Sequence, residues 1–256
     1  MAWELADGLK AKRALVTGAG GGIGREVACA LAAAGSLVYC TDVRAEPLGI
    51  TMAAMDHGSR HASSVADLQD VEAISELVRA AVHALGGLDV LAHVAGFVTR
   101  IAQIADVTEH DWDIHQQTNL KGTFFLNKAV AEVLIAQGVG GRIINFSSQG
   151  WWTGGFEGSV VYNTMKGGIV TMTRGLARTL GPHSITVNSV APGLVDTPML
   201  MDGLPEALLK DLLAQTPLGR VAQPREIAGT VLFLASDHAA YISGATINVS
   251  GGFLMY

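Results

Sequence analysis

Cysteine is nearly absent from this chain: Cys29 and Cys40 are the only two, both in apolar surroundings. A small secreted scaffold would carry several paired cysteines, whereas a reducing compartment keeps thiols free. Both are read as inert core residues, not as a disulfide or a redox pair. Charge is scarce as well, at 16% of residues against 49% hydrophobic, with a formal net charge of −6. Binding nucleic acid needs clustered Lys and Arg, so no nucleic-acid partner is expected. Long apolar runs are missing too: "VACALAAAGSLVYC" is interrupted by Gly35 and Ser36, short of the ~20 residues a membrane span needs. The opening "MAWELADGLKAKR" has acids where an export signal is basic, and it lacks an apolar stretch. A cytoplasmic protein with no membrane partner is the expectation.

What the chain does have is apolar residues in a regular alternation. Its 256 residues suit one large α/β domain or two small ones. Short β-branched or apolar runs at 13–17, 37–42, 61–67, 88–94, 142–147, 185–191 and 245–250 read as strands. Stretches of helical period lie between them, among them 23–34, 68–85, 108–137, 160–180 and 224–235. Strand alternating with helix implies a parallel sheet with helices on both faces. The strands are almost continuously apolar, as strands covered on both sides should be. No linker, repeat or low-complexity tract divides the chain, so residues 1–256 are expected to form a single domain.

After the first strand comes Thr17-Gly18-x-x-x-Gly22-x-Gly24, leading into a helix. Glycines at such a turn permit positive φ and let the backbone approach a pyrophosphate at the helix N-terminus, where free N–H groups favour anions. Asp42 closes the next strand, 18 residues after Gly24, where a carboxylate accepts hydrogen bonds from the adenosine ribose. The same carboxylate repels a 2′-phosphate. Arg44 and Arg25 are the nearest cations that could offset that repulsion, and the expected cofactor is NAD.

Taken together, these and later motifs closely resemble the short-chain dehydrogenase/reductase family over essentially the whole chain. The matching residues are the glycine motif, Asp67 ending the third strand, His93-Val94-Ala95-Gly96 ending the fourth and Asn119 in "TNLKG". Ser147-Ser148, Tyr162-x-x-x-Lys166 and Pro192-Gly193-Leu194-Val195-Asp196-Thr197 complete the series. The resemblance implies a Rossmann-type, doubly wound, seven-stranded parallel sheet and hydride transfer at a nicotinamide. It assigns catalysis to Asn119, Ser148, Tyr162 and Lys166, with Ser147 as the alternative serine. It assigns the cofactor to Thr17, Gly18, Gly22, Ile23, Gly24, Asp42, Asp67, Leu68, Ala95, Gly96, Tyr162, Lys166, Pro192, Gly193, Val195 and Thr197. Tyr162 and Lys166 stand four apart on one helical face. A lysine cation about 4 Å from a phenol would favour the phenolate by roughly 4 kcal/mol at a dielectric of 20, about three pK units.

The family's fourth-strand motif usually begins with two asparagines, so His93 is a departure. It is read as structural, not as a proton carrier. His57 and His61 have i, i+4 spacing but straddle Gly58, and no metal is expected. Residues 199–217, with Gly203 and Pro205 near the start, read as a substrate lid. Phe97, Trp151, Trp152, Phe156, Met199 and Leu200 are the expected substrate pocket. At least one tryptophan should face a bulky cyclic or aromatic alcohol, and one should pack into the subunit. Arg100 reads as solvated, with a substrate carboxylate as its alternative partner. Ile169, Met172 and Leu176, together with the tail "GGFLMY", suggest burial between subunits of a homotetramer. Reduction of 3-oxoacyl groups on a carrier protein is the alternative activity. A non-catalytic NAD-binding sensor or scaffold is the alternative from another class.

Overall fold

A computed structural model describes residues 4–55, 61–156, 158–202 and 204–256; His57, Gly58 and Gly203, singled out above, lie outside them. Seven strands form one sheet: β1 (Arg13–Thr17), β2 (Leu37–Asp42), β3 (Ala62–Val65), β4 (Val90–His93), β5 (Gly141–Phe146), β6 (Ile185–Pro192) and β7 (Thr246–Val249). Their order is β3-β2-β1-β4-β5-β6-β7, and every neighbouring pair is parallel. The chain reverses its winding direction between β1 and β4. In such sheets a crevice opens there, beyond the carboxyl ends of the strands.

Alternation along the strands explains the two layers of core. Ala14 and Val16 of β1, Val90 and Ala92 of β4, and Ile144 and Phe146 of β5 face one layer with Val27 and Leu31. The intervening Leu15, Leu91 and Ile143 face the other, with Leu77, Leu126 and Leu134. This period of two is what a doubly covered strand must show. Helices α1 (Gly22–Ala33), α2 (Ala45–Ala54) and α3 (Val71–Leu85) flank the first strands. α3 starts where the Asp70 carboxylate accepts from the Glu72 and Ala73 N–H groups, and it ends at Gly86, φ 76°.

The long helical stretch expected at 108–137 is broken. α4 (Glu109–His115) opens on a Thr108–Asp111 capping box and is separated from α5 (Gly122–Gln137) by a π-helical turn, Gln116–Lys121. Beyond β5 come a one-turn helix α6 (Gly150–Thr153) and the long α7 (Val160–Leu180). Beyond β6 come α8 (Pro198–Met201), α9 (Glu206–Ala214) and α10 (Pro224–Ala235). Leu200, Leu208 and Leu212, of the residues read as a lid, form a small third core with Leu194 and Phe156.

Two expected surface residues are corrected. Ile169 is buried in the subunit, and Leu176 packs on the second core layer. The outward stripe of α7 is instead Gly168, Thr171 and Met172, which meet Gln116, Leu120 and Phe124 along a shallow groove. Burial pushes the Cys40 thiol up to about 12, which suppresses its thiolate. Among the described residues, no helix is long and apolar enough to cross a membrane.

Candidate active site

A cleft of about 570 Å³ opens at the carboxyl ends of the strands, its floor running from the β1–α1 turn to the loop after β6. At the first end the backbone shapes it. Gly18 and Gly22 have φ of 65° and 52°, values that side-chain-bearing residues rarely adopt. A side chain on Gly24 would strike the Gly18 carbonyl, and one on Gly18 would lie 2.8 Å from the Ala95 backbone. Gly21 begins α1 without a side-chain cap, leaving first-turn N–H groups free for an anion. Thr17 lies beneath this turn, fully buried; Ile23 lines the cleft.

Asp42 reaches the same place from β2. Its carboxylate accepts from the Gly20 N–H at 2.9 Å and from the Arg44 N–H at 3.0 Å. Arg25 donates to the Gly20 carbonyl (2.7 Å) and to Thr51 (3.1 Å), so it is committed to the turn. Arg44 is exposed, its Nε 3.7 Å from Asp42. Asp67 and Leu68 follow β3 on the same wall. A glycine cradle, an uncapped helix start and a carboxylate at the end of β2 together fit a dinucleotide.

At the centre, α7 presents Tyr162 and Lys166 to the loop after β5. Ser147 is buried, and its hydroxyl donates to the Lys166 carbonyl at 2.9 Å, tying α7 to the sheet. Ser148 opens to the cleft together with Tyr162, and its hydroxyl accepts the Gly150 N–H at 3.2 Å. Lys166 Nζ donates to the Phe146 carbonyl at 2.8 Å and lies 5.4 Å from the Tyr162 ring centre. Burial pushes Tyr162 up to about 12, against the Ser148 hydrogen bond and the Arg100 charge, both of which lower it. Burial also brings Lys166 down to about 7. Burial thus opposes the charge on which the expected effect of the lysine depends.

Asn119 sits in the π-helical turn and pairs both ways with Phe97: its amide donates to the Phe97 carbonyl and accepts the Phe97 N–H, each at 2.9 Å. Gly96 is needed beside it, since a Cβ there would lie 3.3 Å from the Asn119 amide oxygen and 3.4 Å from Lys166 Nζ.

His93 joins this centre to the glycine turn. Thr123 donates its hydroxyl hydrogen to the Asn119 carbonyl (2.6 Å), so it can only accept from His93 Nε2 (2.8 Å). Nδ1 then accepts from Thr17 (2.7 Å), which itself accepts the Ala95 N–H (3.2 Å). His93 is thus neutral with its proton on Nε2. Burial, and secondarily the Lys166 charge, bring it down to about 3.

Beyond β6, Pro192, Gly193, Val195 and Thr197 line the far wall, and the Thr197 hydroxyl donates to the Val195 carbonyl at 3.3 Å. Phe97, Phe156, Met199 and Leu200 supply an apolar side. Trp151 and Trp152 do not, which corrects the expected wall. α6 turns both indoles away from the cleft, where Trp151 meets Tyr256 at 5.5 Å and Trp152 meets it at 6.0 Å. Arg174 stands 5.9 Å from the Trp151 ring, and Trp152 is 61% exposed.

Arg100 is likewise not a solvated residue. It lines the cleft and donates to the Met199 carbonyl at 3.2 Å. Gln149, buried in the same cleft with an unpartnered Oε1, was not anticipated from the sequence. Its place directly after Ser148 was the available signal. Among the described residues, no three His, Cys, Asp or Glu side chains cluster as a metal site would.

Known proteins share this arrangement. A family model described as enoyl-(acyl carrier protein) reductase matches residues 18–254. The chain is 38% identical to (2S)-[(R)-hydroxy(phenyl)methyl]succinyl-CoA dehydrogenase subunit BbsD of Thauera aromatica, over 96% of this chain and 97% of that one. It is 37% identical to (3R)-3-hydroxyacyl-CoA dehydrogenase of Rattus norvegicus, over 96% and 98%. The crystal structure of a putative short-chain alcohol dehydrogenase from Sinorhizobium meliloti superposes with a TM-score of 0.92 at 38% identity, covering 98% of each chain. Carrying the same parallel sheet and matched over nearly its whole length, the chain belongs to the short-chain dehydrogenase/reductase family of oxidoreductases.

Proposed function

We propose that the protein interconverts a secondary alcohol and its ketone with NAD, with residues 1–256 acting as one catalytic domain. The observation that carries this reading is that Ser148, Tyr162 and Lys166 line one cleft with the glycine cradle, with Lys166 Nζ 5.4 Å from the Tyr162 ring centre. When bound, NAD supplies the hydride acceptor and a cationic ring. In the oxidative direction Ser148 donates a hydrogen bond to the substrate oxygen, and Tyr162 takes the alcohol proton as the carbinol hydride leaves. In the reductive direction Tyr162 returns that proton. A charged Lys166 stabilises the phenolate, and Asn119 holds the loop carrying Gly96 and Phe97 against the site. Asp42 supports NAD over NADP, because two N–H groups already fix its charge at the ribose position.

The apolar side formed by Phe97, Phe156, Met199 and Leu200 suits a bulky cyclic or aromatic group. A panel of secondary alcohols and ketones with NAD or NADP, followed at 340 nm, tests the reading. We expect turnover and a preference for NAD; no turnover with either dinucleotide would sink it. A 3-hydroxyacyl or 3-oxoacyl thioester is the second reading, favoured by the similarity to the rat protein. It predicts that thioesters outperform free alcohols in the same assay.

We further propose a cytoplasmic homotetramer. The half-exposed Phe124 and the groove it forms with Leu120 and Met172 would be covered by another copy. Light scattering at micromolar concentration would refute this by returning a monomer.

A further inference from the structure

Three cationic side chains line the described part of the cleft, and all have partners there. Arg44 stands beside Asp42, and Lys166 donates to the Phe146 carbonyl. Arg100 differs in the donors it leaves unmade. Among the described residues no carboxylate pairs with it. Its Nη2 donates to the Met199 and Leu200 carbonyls at 3.2 and 3.5 Å, and its guanidinium carbon lies 5.5 Å from the Phe156 ring centre. Among the described residues Nε is buried without an acceptor, and no hydrogen bond uses Nη1.

A guanidinium is always charged and presents its donors as a planar fork that matches a carboxylate with two parallel bonds. Unmade donors in a partly desolvated cation are costly, and an anion in the cleft would relieve that cost. The surrounding Phe97, Phe156, Met199 and Leu200 lower the local dielectric, which strengthens such a pair. Arg100 is also near enough to the reacting centre for its charge to act on Tyr162. We propose that Arg100 binds a carboxylate carried by the substrate, so that the cleft selects a hydroxy acid or the matching keto acid over a neutral alcohol. The proposal rests on reading the cleft as a dehydrogenase site. Because the same guanidinium holds the backbone of α8, anion binding and the position of that helix are coupled.

The test compares the wild type with Arg100→Gln and Arg100→Lys on 3-hydroxy-3-phenylpropanoate and its methyl ester. The wild type should prefer the acid. Arg100→Gln should lower the acid-to-ester ratio of kcat/KM at least about ten-fold, as loss of a charged hydrogen bond to the acid does. Should Arg100→Gln not fold, Arg100→Lys keeps the charge but loses the fork and should still narrow the preference; an unchanged preference in it would overturn the proposal. Equal losses on acid and ester would also overturn it, leaving Arg100 as a latch for α8. Calorimetry of the enzyme–NADH complex decides the matter even without turnover: the acid should bind at least about ten-fold more weakly to Arg100→Gln. If only adenosine 3′,5′-bisphosphate shows that dependence, the anion read is a phosphate and the carboxylate assignment is wrong. Absence of turnover on every alcohol would instead defeat the dehydrogenase reading, with the binding result still deciding the role of Arg100.

Discussion

The two ends of the cleft are made of different material. At the β1–β2 end the shape is backbone: two glycines at positive φ, an uncapped helix start and N–H groups that fix Asp42. At the β5–β6 end it is side chain: Ser148, Phe156, Met199, Leu200 and Arg100, carried on loops and short helices. A backbone cradle tolerates almost no change, because its requirement is the missing Cβ itself. A side-chain wall can change its selectivity without touching the sheet. The first suits a constant ligand, and the second suits one that differs from relative to relative.

The sharpest way to separate the two ends is Tyr162→Phe. If the hydroxyl carries the proton transfer proposed above, kcat should fall about 10³-fold, within the range for general acid–base groups. The dissociation constant for NADH, from fluorescence titration, should stay within about two-fold. Substantial residual turnover would remove Tyr162 from the mechanism. Asp42→Ser probes the other end. Removing the carboxylate should raise the NADP-to-NAD ratio of kcat/KM about ten-fold or more, since like-charge repulsion costs several kcal/mol. A wild type that already prefers NADP would reverse the reading of Asp42.

His93 links the two ends, and its effect should appear in stability before activity. Its pKa is depressed to about 3 from the usual 6.5. A depressed folded-state value gives stability that is present above pH 6.5 and lost as pH falls from 6.5 towards 3. In His93→Asn that acid limb should flatten, while stability at pH 7 drops by about 1–3 kcal/mol, because Thr17 or Thr123 loses a buried partner. Urea midpoints between pH 7 and 4 read both effects. An unchanged acid limb would mean that His93 does not stay neutral in the fold.

Most of the architecture was legible because parallel sheets leave a plain trace. The strand alternation, the glycine turn and Asp42 are all local or nearly so in sequence. The buried Ser147, tied to the Lys166 carbonyl, and the cleft-lining Ser148 are told apart only by the fold. Three further things were hidden. The π-helical turn at Gln116–Lys121 has no composition of its own and read as continuous helix. The buried side of α7 includes Ile169, which looked like part of an outward stripe because the helix is apolar on more than one face. The partners of Arg100 lie 99 and 100 residues away and are backbone carbonyls, which no residue type announces.

The tryptophans make the smallest and most pointed test. Their place three and four residues after Ser148 suggests a substrate wall, and only the turn made by α6 sends them the other way. Gly150 begins that turn with a required absence: a Cβ there would collide with the Asn163 amide, which itself donates to the Gly154 carbonyl at 3.0 Å. The helix therefore docks on α7, and the indoles emerge beside Tyr256 and Arg174. Trp151→Ala should cost stability, because its ring packs against three neighbours; Trp152→Ala, with 61% of its surface exposed, should cost less. Neither should change the ratio of kcat/KM between a bulky and a small ketone by more than about three-fold, whereas truncating a true wall residue changes it ten-fold or more. Phe156→Ala is the positive control, since that ring does line the cleft. A ten-fold shift in either tryptophan variant would mean that the indoles turn inward when substrate binds, and the contrast between the two ends of the cleft would have to be redrawn around α6.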